Sequence, residues 1–248
     1  MRRWTVPSPS LAFALLLVCA TTAAAQTSPD FLFGRPRGTV GVRSGWMFAS
    51  ASSDLFTDIQ DQLTVERKDF NAPAIGIDMD FALTPRASLV AGFDFSKSSK
   101  DSEYRDFVDD QRLPITQTTS LREMNFSGSV KFALTPRGRE ISSRAWIPAA
   151  VTPYVGAGAG ILQYEFLQFG DFINFDDFSV DPDTIRSSGW APSAQVFGGV
   201  DVKAWRRVYI SGEGRYLWSR ATLSRSYIGF DPIDLAGFKL TAGVHYMF

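Results

Sequence analysis

Eight stretches of alternating apolar and polar residues, turns that are short and long by turns, and one short apolar segment at the N-terminus predict an all-β chain. The architecture they imply is an eight-stranded antiparallel transmembrane β-barrel connected as an up-and-down meander. Of the 248 residues, 45% are hydrophobic, so the chain has enough apolar surface to fold. Aromatics reach 14%, with 21 Phe, which calls for a special place to put them.

The N-terminus reads MRRWTVPSPSLAFALLLVCATTAAAQ. Arg2 and Arg3 form a positive start, Leu11 to Ala20 an apolar core, and Ala23-Ala24-Ala25 a small-residue cleavage site. Residues 1–25 are therefore expected to be a Sec signal peptide, cleaved after Ala25. The core is too short to cross a bilayer as a helix, and no later run of about 18 apolar residues exists. Val18 before Cys19 argues against a lipoprotein. Cleavage removes Cys19, the single cysteine, and with it disulfide and thiol chemistry. Losing Arg2 and Arg3 moves the formal charge from -1 to -3, which speaks against a nucleic-acid partner.

The strand faces follow from the alternation. Val40, Val42, Trp46 and Phe48 oppose Gly41, Arg43, Gly45 and Met47. Ile75, Ile77, Met79 and Phe81 oppose Gly76, Asp78 and Asp80; Leu89, Phe93 and Phe95 oppose Gly92 and Asp94. Met124, Phe126, Val130 and Phe132 oppose Asn125, Ser129 and Lys131. In the second half, Val155 to Ile161 alternates with Gly156, Gly158 and Gly160, and Trp190 to Val202 alternates with Ser193, Gln195 and Asp201. Val208, Ile210, Tyr216 and Trp218 oppose Ser211, Glu213 and Arg215; Phe238 to Phe248 alternates with Lys239, Thr241 and His245. Each segment reaches the roughly 10 residues that a tilted strand needs to cross the hydrocarbon. An even number of strands can close, leaving no backbone group unpaired in lipid.

The stretch FALTPR occurs at 81–86 and again at 132–137. Both copies end an alternating run, and Thr and Pro suit a turn, so the repeat is turn chemistry used twice. Short connections are expected after segments two and six and a longer one after segment four. Those after one, three, five and seven are expected to be polar loops of about 15–25 residues. Trp46, Trp190, Tyr216 and Trp218 fall at strand ends near these long loops, and Phe81, Phe132, Trp146, Trp205, Tyr246 and Phe248 near the short turns. They are expected as two interfacial aromatic bands.

The last strand, Leu240-Thr-Ala-Gly-Val-His-Tyr-Met-Phe248, resembles the C-terminal signature of bacterial outer-membrane barrels, with Val244, Tyr246 and Phe248 on one face. Pro153-Tyr-Val-Gly-Ala-Gly-Ala-Gly160 resembles the fifth strand of small OmpA-like and OmpX-like barrels. The likeness covers residues 38–248, leaving 26–37 as a short periplasmic N-terminal segment. Nothing follows Phe248, so it does not extend to a peptidoglycan-binding domain. It implies the outer membrane as location and recognition of the terminal strand by the barrel assembly machinery. Outer-membrane lipid and lipopolysaccharide are the expected surroundings, and the long loops offer a face for a surface ligand.

Inward positions carry Arg43, Lys131, Arg215 and Lys239 against Asp78, Asp80, Asp94, Asp201 and Glu213. Lone charges inside a narrow barrel are costly, so these are expected to pair as a plug. Neutralising Arg43 or Lys131 should then raise conductance. The glycines at 156, 158 and 160 alternate within a strand, unlike a dinucleotide loop, and leave room for larger lumen side chains. His245 is the only histidine and lies at the short-turn end, away from where a lipid A deacylase keeps its His–Ser pair. The loop acids, Asp54, Asp58, Asp61, Glu66 and Asp69 in the first and Asp171, Asp176, Asp177, Asp181 and Asp183 in the third, lack a regular calcium-loop spacing. No catalytic set, metal site or cofactor is expected. The leading expectation is a non-enzymatic surface or structural protein. A narrow channel or conduit for ions, small solutes or apolar ligands is the alternative, and a lipid-modifying enzyme the third.

Overall fold

A computed structural model describes residues 31–109, 111–142, 145–174 and 179–248. The expected signal peptide lies outside them. Eight long strands form the molecule: β1 (Gly38–Ala49), β2 (Ala72–Ala82), β3 (Ala87–Val108), β4 (Pro114–Ala133), β5 (Val151–Ile173), β6 (Val180–Lys203), β7 (Val208–Ala221) and β8 (Gly237–Met247). Each pairs antiparallel with its neighbours in sequence, and β8 returns to β1 from Gly237↔Ala49 to Met247↔Thr39. The ring is closed, so no edge strand is left to aggregate. The seam is locked at the terminus: Arg37 N donates to Phe248 O at 2.8 Å and Phe248 N to Gly38 O at 3.0 Å.

Outward positions around the lower part of the ring are almost wholly apolar. Val42, Ile75, Ile77, Leu89, Val130, Val155, Ile210 and Val244 all lie open, a band that only a lipid bilayer can cover. Trp46, Trp190 and Trp218 stand exposed at its upper rim and Trp205 at its lower.

The strands are unequal. β1, β2 and β8 have 11 or 12 residues, whereas β3, β4, β5 and β6 have 20 to 24. A crossing takes about 10, so the two central hairpins stand well above the membrane band. This corrects the expected loops after the third and fifth segments. Most of those residues continue the ladder, and Asp171, Asp181 and Asp183 sit in strands, while Asp176 and Asp177 lie outside the described residues. The first connection is long but not a plain polar loop. It carries helix α1 (Asp54–Gln62), which buries Leu55, Phe56 and Ile59 on one face.

At the short-turn end the two FALTPR copies diverge. In the first, Thr84 Oγ1 accepts from Arg86 N at 3.2 Å and Ala87 N at 2.8 Å, closing a tight turn with Arg86 exposed. After the second, the chain builds a hairpin, Gly138–Ser142 with Ala145–Pro148, against which Leu32–Phe33 adds a third strand. Trp146 is 6% exposed there, packed with Leu32, Tyr209 and Met247. Trp146 therefore belongs to a small cap and not to the interfacial band, because the hairpin that carries it folds back under the barrel.

Ile77 sits mid-strand on the lipid face, paired across to Val42 and Phe93. Ile77→Arg should lower the unfolding free energy in lipid vesicles by about 2–4 kcal/mol, read from urea titration of tryptophan fluorescence. The same change at Leu83, beside the turn, should cost far less.

Candidate functional site

Inside the ring the side chains form three layers. The middle layer centres on Arg43 and Arg215. Arg43 reaches Asp78 (Nε to Oδ2, 2.9 Å), Asp94 (Nη2 to Oδ1, 2.9 Å) and Glu213 (Nη1 to Oε1, 2.8 Å). Arg215 binds Glu213 Oε1 at 2.8 Å, Gln195 Oε1 at 3.2 Å and Asp94 Oδ2 at 3.4 Å. Tyr154 Oη donates to Glu213 Oε2 at 3.1 Å, and the Phe197 ring lies under the Arg215 guanidinium at 4.7 Å. The β5 glycines make this possible, since a Cβ on Gly156 would run into the Phe197 ring. Lys239, buried above, adds a positive charge felt by both Asp94 and Glu123.

The lower layer joins Lys131 to Asp201 at 2.9 Å and to Asp80 at 3.9 Å, with Lys131 also 3.7 Å from the Tyr154 ring centre. Arg137, the last residue of the second FALTPR, turns up into the barrel. It holds Asp80 through both guanidinium nitrogens at 3.2 and 3.0 Å, and donates to Ser88 at 2.6 Å. Cavities of about 20 Å³ adjoin this layer, each with room for about one water. His245 Nε2 meets Ser211 Oγ at 2.8 Å. That pair faces the lumen near Lys131 and Asp201, away from lipid.

The upper layer is apolar. Leu55, Phe56 and Ile59 of α1 enter the mouth and pack with Leu121, Leu162, Tyr164, Phe166 and Leu217 of the wall and with Ile233 and Leu235 of the last connection. The Phe56 ring lies 4.7 Å from Phe70 and 6.0 Å from Phe166, both edge to face. Polar tips are satisfied: Tyr164 Oη donates to Thr222 O at 2.8 Å, and Tyr227 Oη to Gln168 Oε1 at 3.1 Å. Burial pushes the Tyr227 phenol above its ordinary pKa, keeping it neutral. Asp234 ties the first and last connections together, accepting from Ser52 Oγ at 2.5 Å while its own amide donates to Ser53 Oγ at 3.3 Å. On the outside at this height stand Lys97, Ser99, Asp101 and Glu103. The barrel thus inverts: polar inside and apolar outside within the band, apolar inside and polar outside above it.

All nine charged residues singled out in the sequence point into the ring, and eight of them lie within an ion pair of at least one other. Four participants escaped that reading. Glu123 lies one residue before the fourth segment begins and has the inward parity. Tyr154 and Phe197 share the inward faces of β5 and β6 but are aromatic in a polar row. Arg137 left no signal, since it sits in a turn motif whose other copy points outward. Val244, Tyr246 and Phe248 lie on the outer face. Of the acidic loop residues, Asp54 accepts from the amides of Leu55 and Asp231 and Asp69 from that of Glu66. Among the described residues, no group of three or more His, Cys, Asp or Glu is placed to hold a metal ion.

No protein-family model matches this sequence, and no curated protein matches it. Solved structures do. Neisserial surface protein A is similar with a TM-score of 0.50 at 12% identity, over 90% of this chain and 100% of that one. OprG from Pseudomonas aeruginosa aligns with a TM-score of 0.47 at 10% identity, over 88% of this chain and 99% of that one. The fold is that of the small outer-membrane β-barrels, the eight-stranded type that OmpA-like and OmpX-like barrels share.

Removing Arg43 leaves three buried carboxylates facing Arg215 and Lys239 alone. Arg43→Met should therefore destabilise the barrel by roughly 3–5 kcal/mol, as expected when one partner of a buried pair is lost. Phe56→Ala should instead loosen only the mouth. Amide exchange should rise across 54–63 while β1 to β8 stay protected within the band.

Proposed function

We propose that this protein is a non-enzymatic structural or surface protein of the outer membrane: a shut barrel that anchors a rigid extracellular dome. In this reading the short turns and both chain ends lie in the periplasm, and the long hairpins outside. The observation that carries it is the stacking of independent seals. An ion-paired layer fills the lumen, an apolar layer closes its outer mouth, and the Trp146 cap with Arg137 closes its inner one. Two cavities beside the charged layers have room for about one water apiece, and an eight-stranded ring is only wide enough for its own side chains. A conduit for ions or small solutes would need the outer and inner seals to move together. A lipid-modifying activity is not favoured, since the Ser211–His245 pair is enclosed by the ring.

The test is single-channel conductance of refolded residues 26–248 in planar bilayers, with folding verified by a heat-dependent gel shift. Silence is expected. Arg43→Met alone should also stay silent, because the apolar mouth is a second seal, which revises the simpler expectation from charge alone. Replacing residues 54–62 by a Gly-Ser linker in the Arg43→Met background should produce discrete openings. Reproducible steps from the unaltered protein would overturn the closed-anchor reading in favour of transport.

A further inference from the structure

The outer wall carries a cluster of cations above the apolar band. Lys97 on β3 pairs across to Arg122 on β4, and Arg122 pairs across to Glu165 on β5. Glu165 is gripped from both sides, by Arg122 Nη2 at 3.5 Å and by Arg186 of β6. Two cations therefore meet one carboxylate, and Lys97 adds a third positive charge across the ladder from Arg122. The Arg186 side chain remains 59% exposed and that of Arg122 34%. The carboxylate fixes the two guanidinium groups without neutralising the set. This stands against the composition of the chain, whose formal charge is negative.

The height of the cluster matters as much as its charge. Below these cations on the same outer face the strands become apolar or aromatic: Phe95 two residues under Lys97, Met124 two under Arg122, and Trp190 four under Arg186. The rings of Phe93 and Phe126 lie 4.9 Å apart, and those of Phe126 and Trp190 6.2 Å apart, forming a continuous aromatic shelf at the rim of the lipid band. The next carboxylates on this wall, Asp101 and Glu103, stand further from the membrane. A cationic cluster just above an aromatic shelf matches the depth at which phosphate groups of the facing leaflet sit.

We propose that Lys97, Arg122 and Arg186 form a binding site for the phosphate groups of a phosphorylated glycolipid in the outer leaflet, with its acyl chains lying along Phe95, Met124, Phe126 and Trp190. Planar guanidinium groups grip phosphate through paired N–H donors. Glu165 is a positioning residue that keeps both arginines on the wall. The inference rests on the outer-membrane reading above and names the lipid contact within it.

The test uses refolded residues 26–248 in neutral phosphatidylcholine nanodiscs, titrated with bisphosphorylated lipid A and followed by native mass spectrometry of lipid adducts. Each cation beside an anionic lipid surface is worth roughly fivefold in affinity. The triple change Lys97→Gln, Arg122→Gln, Arg186→Gln should therefore weaken retention about a hundredfold, and enzymatically dephosphorylated lipid A should lose retention on the unaltered protein. Lys68→Gln, on the exposed connection after α1, should change nothing. Equal retention by the triple variant, or no preference for lipid A over phosphatidylglycerol, would overturn the site. Equally strong capture of a soluble sulfated polysaccharide through the same residues would reassign it to a different ligand. A heat-dependent gel shift on the same samples separates the two readings: a folded, inserted barrel without phosphate preference sinks the site alone, whereas failure to insert sinks the membrane anchor.

Discussion

One closed ring of strands has to live in two solvents, and most of this structure follows from that. Within the lipid band every backbone N–H and C=O must be paired inside the protein, which the unbroken circuit from β1 to β8 and back accomplishes. The side chains must then divide, apolar outward and the remainder inward. Above the band the outer solvent is water and the requirement reverses. The ladders between β4 and β5 and between β5 and β6 pass through this change of solvent with no break in register. The sequence alone therefore has to carry the inversion.

It does so by a slip of phase. On β5 the apolar series Val155, Ala157, Ala159, Ile161 faces outward, and the next apolar residues, Leu162, Tyr164 and Phe166, have the opposite parity. On β7, Leu217 is buried between outward Tyr216 and Trp218. Two adjacent apolar residues mark the height at which the chain leaves lipid. The upper dome was hard to read because β3 is polar on both faces there, so alternation fades even though the strand continues. The membrane half was legible for the converse reason: strict alternation over ten residues allows one register, and a shift by one would put Asp78 and Arg43 into lipid. Which lumen charges meet was not legible, because partners such as Arg43 and Glu213 lie 170 residues apart.

The interior charges suit a ring too narrow for solvent. A buried ion pair adds little net stability over an apolar core, but once one member is present the others are obligatory. Arg43 touches three carboxylates and Arg215 two, so the layer holds the inward faces of β1, β2, β3 and β7 in one arrangement. It specifies register more than it strengthens the fold. Arg137 extends the same logic beyond the strands, drawing the hairpin after β4 under the ring and bringing Trp146 into place.

The apolar dome draws on both ends of the chain. α1 leaves the first strand, while Ile233 and Leu235 immediately precede the last, and Asp234 bonds Ser52 and Ser53 across that separation. Contacts so distant in sequence are slow to form. The dome core can be completed only when the first and final strands have found each other. Its assembly is coupled in time to closure of the ring: an unfinished barrel carries an unsealed, apolar mouth, and a sealed mouth marks a molecule whose biogenesis has ended.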